Sequence, residues 1–221
     1  MSGDVSAVHP STPRARQLAL VCILVWLVAA ASAGPVGIWL ALGGAAVVLG
    51  AAVLLLDRPA TTKLLQPSVR LLLLGAAAGG AMAAGTHLLY PVLAHLAPVI
   101  AADTARLYTA FRAPSLVVAA VGLVPVIVGE ELVWRGAVQA LLVQRLGVWR
   151  GVVLAALVYA LVHVPLGSPA LVSAALGCGL AWGALRAATA SLVPTLMAHL
   201  LWNVLVLVWL PLDAVANRAA S

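Results

Sequence analysis

The chain has 221 residues, of which 64% are hydrophobic and 8% charged, and carries a formal net charge of +6 with a mean hydropathy of +1.14. Soluble domains hold roughly 25% charged residues, so a water-soluble globular fold is excluded. The basic surplus, spread singly at the ends of apolar stretches, excludes a nucleic-acid-binding face. Only Cys22 and Cys178 are present, each inside an apolar run. That rules out a disulfide framework and zinc-knuckle spacing, and both read as small packing residues.

The first apolar run follows Arg14 and Arg16 and ends Ala31-Ser32-Ala33-Gly34, which mimics a signal peptide with its small-residue cleavage site. Six further apolar runs follow, so a retained anchor is expected. Seven spans are predicted, at 18–33, 36–56, 71–90, 114–143, 150–165, 169–186 and 191–210. Several approach the roughly 20 residues that cross about 30 Å of hydrocarbon, and none shows the alternation of an outer-membrane barrel. The expected fold is all-α: a polytopic transmembrane helical bundle of about seven membrane-spanning helices in a lipid bilayer. Gly75, Gly79 and Ala83 in the third span, and Ala175, Gly179 and Gly183 in the sixth, predict faces where helices approach closely. Pro91 to Ala113 reads as an extracytoplasmic loop or interfacial helix shaping a substrate entrance. No internal repeat of the transporter kind is present.

The twelve Lys and Arg residues test this topology. With the N-terminus inside, the cytoplasmic segments hold Arg14, Arg16, Arg58, Lys63, Arg70, Arg145, Arg150 and Arg186, against Arg106, Arg112 and Arg218 outside. Arg135 lies within the fourth span. The bias predicts a cytoplasmic N-terminus.

Three polar islands interrupt the apolar chain. The only two glutamates stand side by side in Glu130-Glu131-x-x-x-Arg135. A carboxylate at a helix centre in a bilayer costs about 2.5–3.5 kcal/mol on lenient insertion scales, so a functional use is the default. Helical spacing puts Glu131 and Arg135 on one face and turns Glu130 about 100° away, toward a cavity. The second island is Tyr159-x-x-x-His163, ahead of Pro165 where the helix should end, and the third is His199-x-x-x-Asn203. Taken singly, each has a structural explanation as interhelical glue or a buried ion pair. Together, counting from Arg145, Arg150 and Arg186 puts Glu130, His163 and His199 at one depth, about 20 Å of helix from the cytoplasmic markers at 1.5 Å per residue.

Such residues suffice to hydrolyse an amide. Glu130 and His163 can share a water and take its proton, while His199 and Asn203 can donate to the oxyanion that forms. Ser115, Ser168, Ser173 and Ser191 lie in contexts unlike a nucleophile elbow. A zinc site from Glu130, His163 and His199 is chemically conceivable, although no His-Glu-x-x-His is present.

In this order on successive membrane helices, the three islands closely resemble the CPBP family of intramembrane proteases, which groups type II CAAX prenyl endopeptidases with bacteriocin-processing and immunity proteins. The resemblance covers about residues 114–210, with Tyr159 standing where the family usually has Phe. It marks 114–210 as the catalytic core, and the spans and charge bias supply the rest: a cytoplasmic tail (1–17), N-terminal transmembrane helices with an extracytoplasmic loop (18–113) and a C-terminal tail (211–221). It makes Glu130 with His163 the water-activating pair and His199 with Asn203 the oxyanion stabilisers, with Glu131 and Arg135 structural or substrate-orienting. It implies a CAAX-type intramembrane endopeptidase and leaves metal use open; the expectation here is the glutamic type with no cofactor, zinc being the alternative.

A short form rich in Ala, Leu and Val is expected in a bacterial cytoplasmic membrane. The partners implied are a membrane-anchored or lipid-modified protein, or a leader or sorting peptide; no pattern assigns an oligomeric state. The rival reading is a non-catalytic immunity or regulatory scaffold, or a small transporter using the polar cluster as a proton relay.

Overall fold

In a bilayer every backbone N–H and C=O must be satisfied internally, which leaves apolar spans without alternation one solution, the helix. The computed structural model describes residues 13–56, 58–111 and 116–212, and among these no strand occurs. Helix α1 spans Pro13–Val36. After Gly37, at φ 90°, the chain returns through a π-helical turn, Trp39–Gly43, into α2, Gly44–Leu56. A short α3, Arg58–Leu64, leads to α4, Val69–Leu96, capped by Ser68, whose Oγ accepts from the Leu71 N–H. Then come α5, Pro98–Phe111, and one continuous helical stretch made of α6, Leu116–Glu131, a π-helical segment, Leu132–Val138, and α7, Gln139–Leu146. Helix α8, Val148–Leu161, ends in a 3-10 turn at Val164–Leu166 that contains Pro165. Helix α9, Pro169–Thr189, is followed by α10, Val193–Asn203, and a π-helical extension, Val204–Trp209.

Each of the seven predicted spans is mainly helical where described, with breaks at Gly37, at Val162 and His163, and at Ser191 and Leu192. Five segments are long and apolar enough to cross a membrane: Pro13–Val36, Trp39–Leu56, Val69–Leu96, Val148–Leu166 and Pro169–Thr189. The fourth predicted span carries Glu130, Glu131 and Arg135 within its length, and the last, Val193–Trp209, is shorter. Large apolar side chains such as Leu24, Val28, Leu40, Leu73 and Leu88 face outward, a surface suited to lipid and costly in water. The molecule is a helical membrane bundle.

Some expectations need correction. Helix α1 begins at Pro13, earlier than expected. Pro91 does not end the third span: α4 runs through it to Leu96, because a proline forfeits one backbone bond while packing continues around the buried Tyr90. Of the two readings of 91–113, loop or interfacial helix, the described residues take the helical one, as the end of α4 followed by α5. Arg186, counted as a loop cation, is buried in the last turn of α9. Arg112 and Arg218 lie outside the described residues.

The small-residue stripes are packing faces. A Cβ on Gly75 would stand 2.5 Å from the Pro194 carbonyl oxygen, and one on Gly79 2.7 Å from that of Ala198, so α4 lies directly on α10. Gly179 meets Ala156 of α8, and Gly183 accepts at its carbonyl from Gln139 Nε2 at 2.9 Å. Gly129, immediately before the glutamates, lies against the backbone of Ala46, and a Cβ on Gly50 would be 2.5 Å from the Gly129 Cα. Helices α2 and α6 thus touch backbone to backbone where the carboxylates begin.

Candidate active site

Glu130 and Glu131 close α6 and diverge as their helical phase requires. Glu131 is wholly buried. Its Oε1 accepts from Arg135 Nη1 at 3.1 Å and from His199 Nδ1 at 2.9 Å, the imidazole donating because an ionised carboxylate can only accept. Arg135, carried by the π-helical segment, also lies over two rings, with Cζ 4.7 Å from the Tyr159 centroid and 5.1 Å from that of Trp182. Such cation–π contacts strengthen away from water. The predicted Glu131–Arg135 pair is present.

Glu130 instead faces a cavity of about 200 Å³, lined by Glu130, Tyr159, His163, His199 and Asn203 among mostly apolar side chains. Its Oε2 accepts from Tyr159 Oη at 2.8 Å and lies 3.9 Å from His199 Nε2. His163 Nδ1 lies 2.6 Å from the Tyr159 carbonyl, an acceptor, which leaves Nε2 as its free nitrogen. The His163 ring packs edge-on against Tyr159, centroids 4.9 Å apart. Asn203, one turn beyond His199, lines the same cavity.

The structure therefore gathers all three islands, in an arrangement that differs in detail from spacing arguments. Among the described residues no hydrogen bond joins Glu130 to His163; the direct neighbours of Glu130 are Tyr159 and His199. The phenol at position 159 makes a bond to Glu130 that a Phe could not. Depth counting also overcounts for His199, because α9 ends at Thr189 and α10 starts only at Val193. His199 lies six residues into α10, about 9 Å from its start at Val193.

Sequence reasoning missed Trp182 and Trp26. Trp182 stacks on His199 with centroids 3.8 Å apart and planes 22° apart, and Trp26 of α1 lies 6.2 Å from His163. Neither carries a sequence signal, since an aromatic residue in an apolar run reads as core. Cys178, taken as packing, also lines the cavity.

A metal ion here would need Glu130 with the Nε2 atoms of His163 and His199. Among the described residues no three His, Cys, Asp or Glu side chains are gathered closely enough to hold one, and a Glu130 oxygen is engaged by Tyr159.

Residues 112–205, which include all four candidate catalytic positions, match the family described as Rce1-like, type II CAAX prenyl endopeptidase Rce1-like. No curated protein and no solved structure matches the chain. At family level this supports a CAAX-type intramembrane protease. Residues 112–205 are thus similar to the Rce1-like, type II CAAX prenyl endopeptidase family, in keeping with the resemblance that the three polar islands carry.

Proposed function

We propose that the protein is an intramembrane endopeptidase that hydrolyses a peptide bond in a membrane-anchored or lipid-modified protein, or in a leader or sorting peptide, with a water activated by Glu130 and His163. The observation that carries this reading is the convergence on one cavity of Glu130 from α6, His163 from the turn after α8, and His199 and Asn203 from α10, all four within the family-matched residues. Water held between Glu130 and the free Nε2 of His163 loses a proton to them as its oxygen bonds to the scissile carbonyl carbon. The oxyanion accepts hydrogen bonds from His199 Nε2 and Asn203 Nδ2. When the C–N bond breaks, the stored proton passes to the leaving amine.

Donation from His199 Nε2 requires protons on both ring nitrogens, since Nδ1 already serves Glu131.

Two measurements test the reading. Proteomics of cells carrying Glu130→Gln in place of the native chain should reveal accumulated, uncleaved membrane-anchored precursors, with the variant still folded in the membrane. Unchanged processing would overturn the proposal and leave a non-catalytic scaffold. Protein stripped with a strong chelator should still cleave a peptide taken from such a precursor. Loss of activity restored by zinc alone would make Glu130, His163 and His199 ligands and replace the metal-free mechanism.

A further inference from the structure

The cavity is one-sided. Helix α6 contributes Leu123, Val126 and Glu130, all at least 15 residues before Arg145, and α8 contributes Tyr159 and His163, well after Arg150. Ile38 and Trp39 come from the start of the second span, far from Arg58. Helix α9 lends residues between Ala170 and Trp182, and α10 with its extension lends His199 onward. No lining residue comes from the turns that hold Arg58, Lys63, Arg70, Arg145 and Arg150.

On the cation-rich side the floor is closed. Trp134 and Val138 are 1% exposed, and Leu192 and Thr195 are 0% exposed. The Leu64 carbonyl accepts from both the Leu192 N–H at 2.9 Å and Ser191 Oγ at 3.1 Å, which joins α3 to the α9–α10 turn beneath the site.

At the opposite end the cavity is rimmed by α5, through Thr104, Leu107, Tyr108 and Phe111. This helix is held in place by polar ties. Asp103 Oδ2 accepts from Ser168 Oγ at 2.8 Å and from the Ala170 N–H at 2.9 Å, Trp39 Nε1 donates to the Phe111 carbonyl, and Tyr108 Oη donates to that of Val206. The rim side chains are apolar apart from Thr104 and Tyr108, so the segment that enters is apolar too.

Lys and Arg mark the cytoplasmic face, and the turns at the closed end hold Arg58, Lys63, Arg70, Arg145 and Arg150, whereas α5 at the other end carries Arg106. We infer that the site is served from the non-cytoplasmic face, so that its substrates are exported, membrane-anchored chains whose scissile bond lies outside the cytoplasm, not proteins held by a lipid on the cytoplasmic leaflet. The substrate part of this inference rests on the proteolytic reading above; the access part does not.

The test is thiol accessibility in the full chain after Cys22 and Cys178 are replaced by Ala. Leu107→Cys and Leu171→Cys report the cavity, and Lys63→Cys reports the cation-rich face. A membrane-impermeant maleimide should label the two cavity cysteines at least tenfold faster in right-side-out than in inside-out vesicles, with Lys63→Cys showing the reverse. Cavity labelling from the cytoplasmic side, or none on either side until detergent is added, would overturn the inference. Repeating the labelling in a Glu130→Gln background separates the two readings. Outside labelling without precursor accumulation refutes proteolysis and keeps the access route, while precursor accumulation with cytoplasmic labelling refutes the access route and keeps proteolysis.

Discussion

The guanidinium of Arg135 donates to Glu131 Oε1 and lies over the rings of Tyr159 and Trp182, so one side chain ties the carboxylate pair of the first island to α8 and α9. Glu131 passes the order on by accepting from His199. Both members of the ion pair are desolvated, at 3% and 0% side-chain exposure. Removing one partner from such a pair typically costs about 3–5 kcal/mol, because the remaining charge is stranded. Arg135→Ala should therefore lower the melting temperature of the purified protein and reduce its yield from membranes, where Glu130→Gln does neither. An Arg135→Ala variant that expresses and melts normally would show that Glu131 does not depend on this partner. The one-turn pair was legible from spacing alone, since i and i+4 share a helical face. The Glu131–His199 bond was not, because its partners are 68 residues apart and only the packing of α10 brings them together.

Three π-helical segments adjoin the site: Trp39–Gly43 lines the cavity, Leu132–Val138 follows Glu131 and carries Arg135, and Val204–Trp209 follows Asn203. Such segments recur at functional sites, where the widened turn re-aims side chains. Nothing in a run of Leu and Val marks one, so helix existence was readable and helix phase was not. The glycine stripe on α4 was readable, because close approach of two helices in lipid calls for small residues. Its two adjacent glycines separate packing from propensity. A Cβ at Gly79 would meet the Ala198 carbonyl oxygen at 2.7 Å, whereas one at Gly80 meets nothing within 4 Å. Gly79→Ala should destabilise by about 1–3 kcal/mol through overpacking. Gly80→Ala should be neutral, or stabilising by up to about 1 kcal/mol from helix propensity. Thermal unfolding of both variants in one detergent checks the contrast, and equal melting points would mean that α4 does not rest on α10 through this stripe.

At the scale of the whole molecule, composition gave the class and the charge bias gave an expected orientation, while the boundary expected near residue 113 reflects where motifs occur more than where folding units end. Trp26 of α1 packs edge-on against Trp134 at 5.4 Å, α2 meets α6 at Gly129, and α4 rests on α10. The cavity takes part of its wall from Ile38, Trp39, Thr86 and Leu107, all outside the family-matched residues 112–205. A motif search cannot see this dependence, because the N-terminal helices contribute apolar surface and backbone proximity, for which many sequences serve equally. If the bundle is one cooperative unit, a chain of residues 112–221 should not fold alone. It would leave Glu131 and Arg135 without the layer that shields them from lipid, and polar groups exposed in hydrocarbon cost several kcal/mol each. Expressed by itself, it should be degraded or elute as aggregate in size-exclusion chromatography, and co-expression of residues 1–111 should recover a protease-resistant complex with the mobility of the intact protein. A 112–221 fragment that elutes as a single species and melts like the full chain would show instead that the matched region is a domain in its own right and that the first helices are accessory to it.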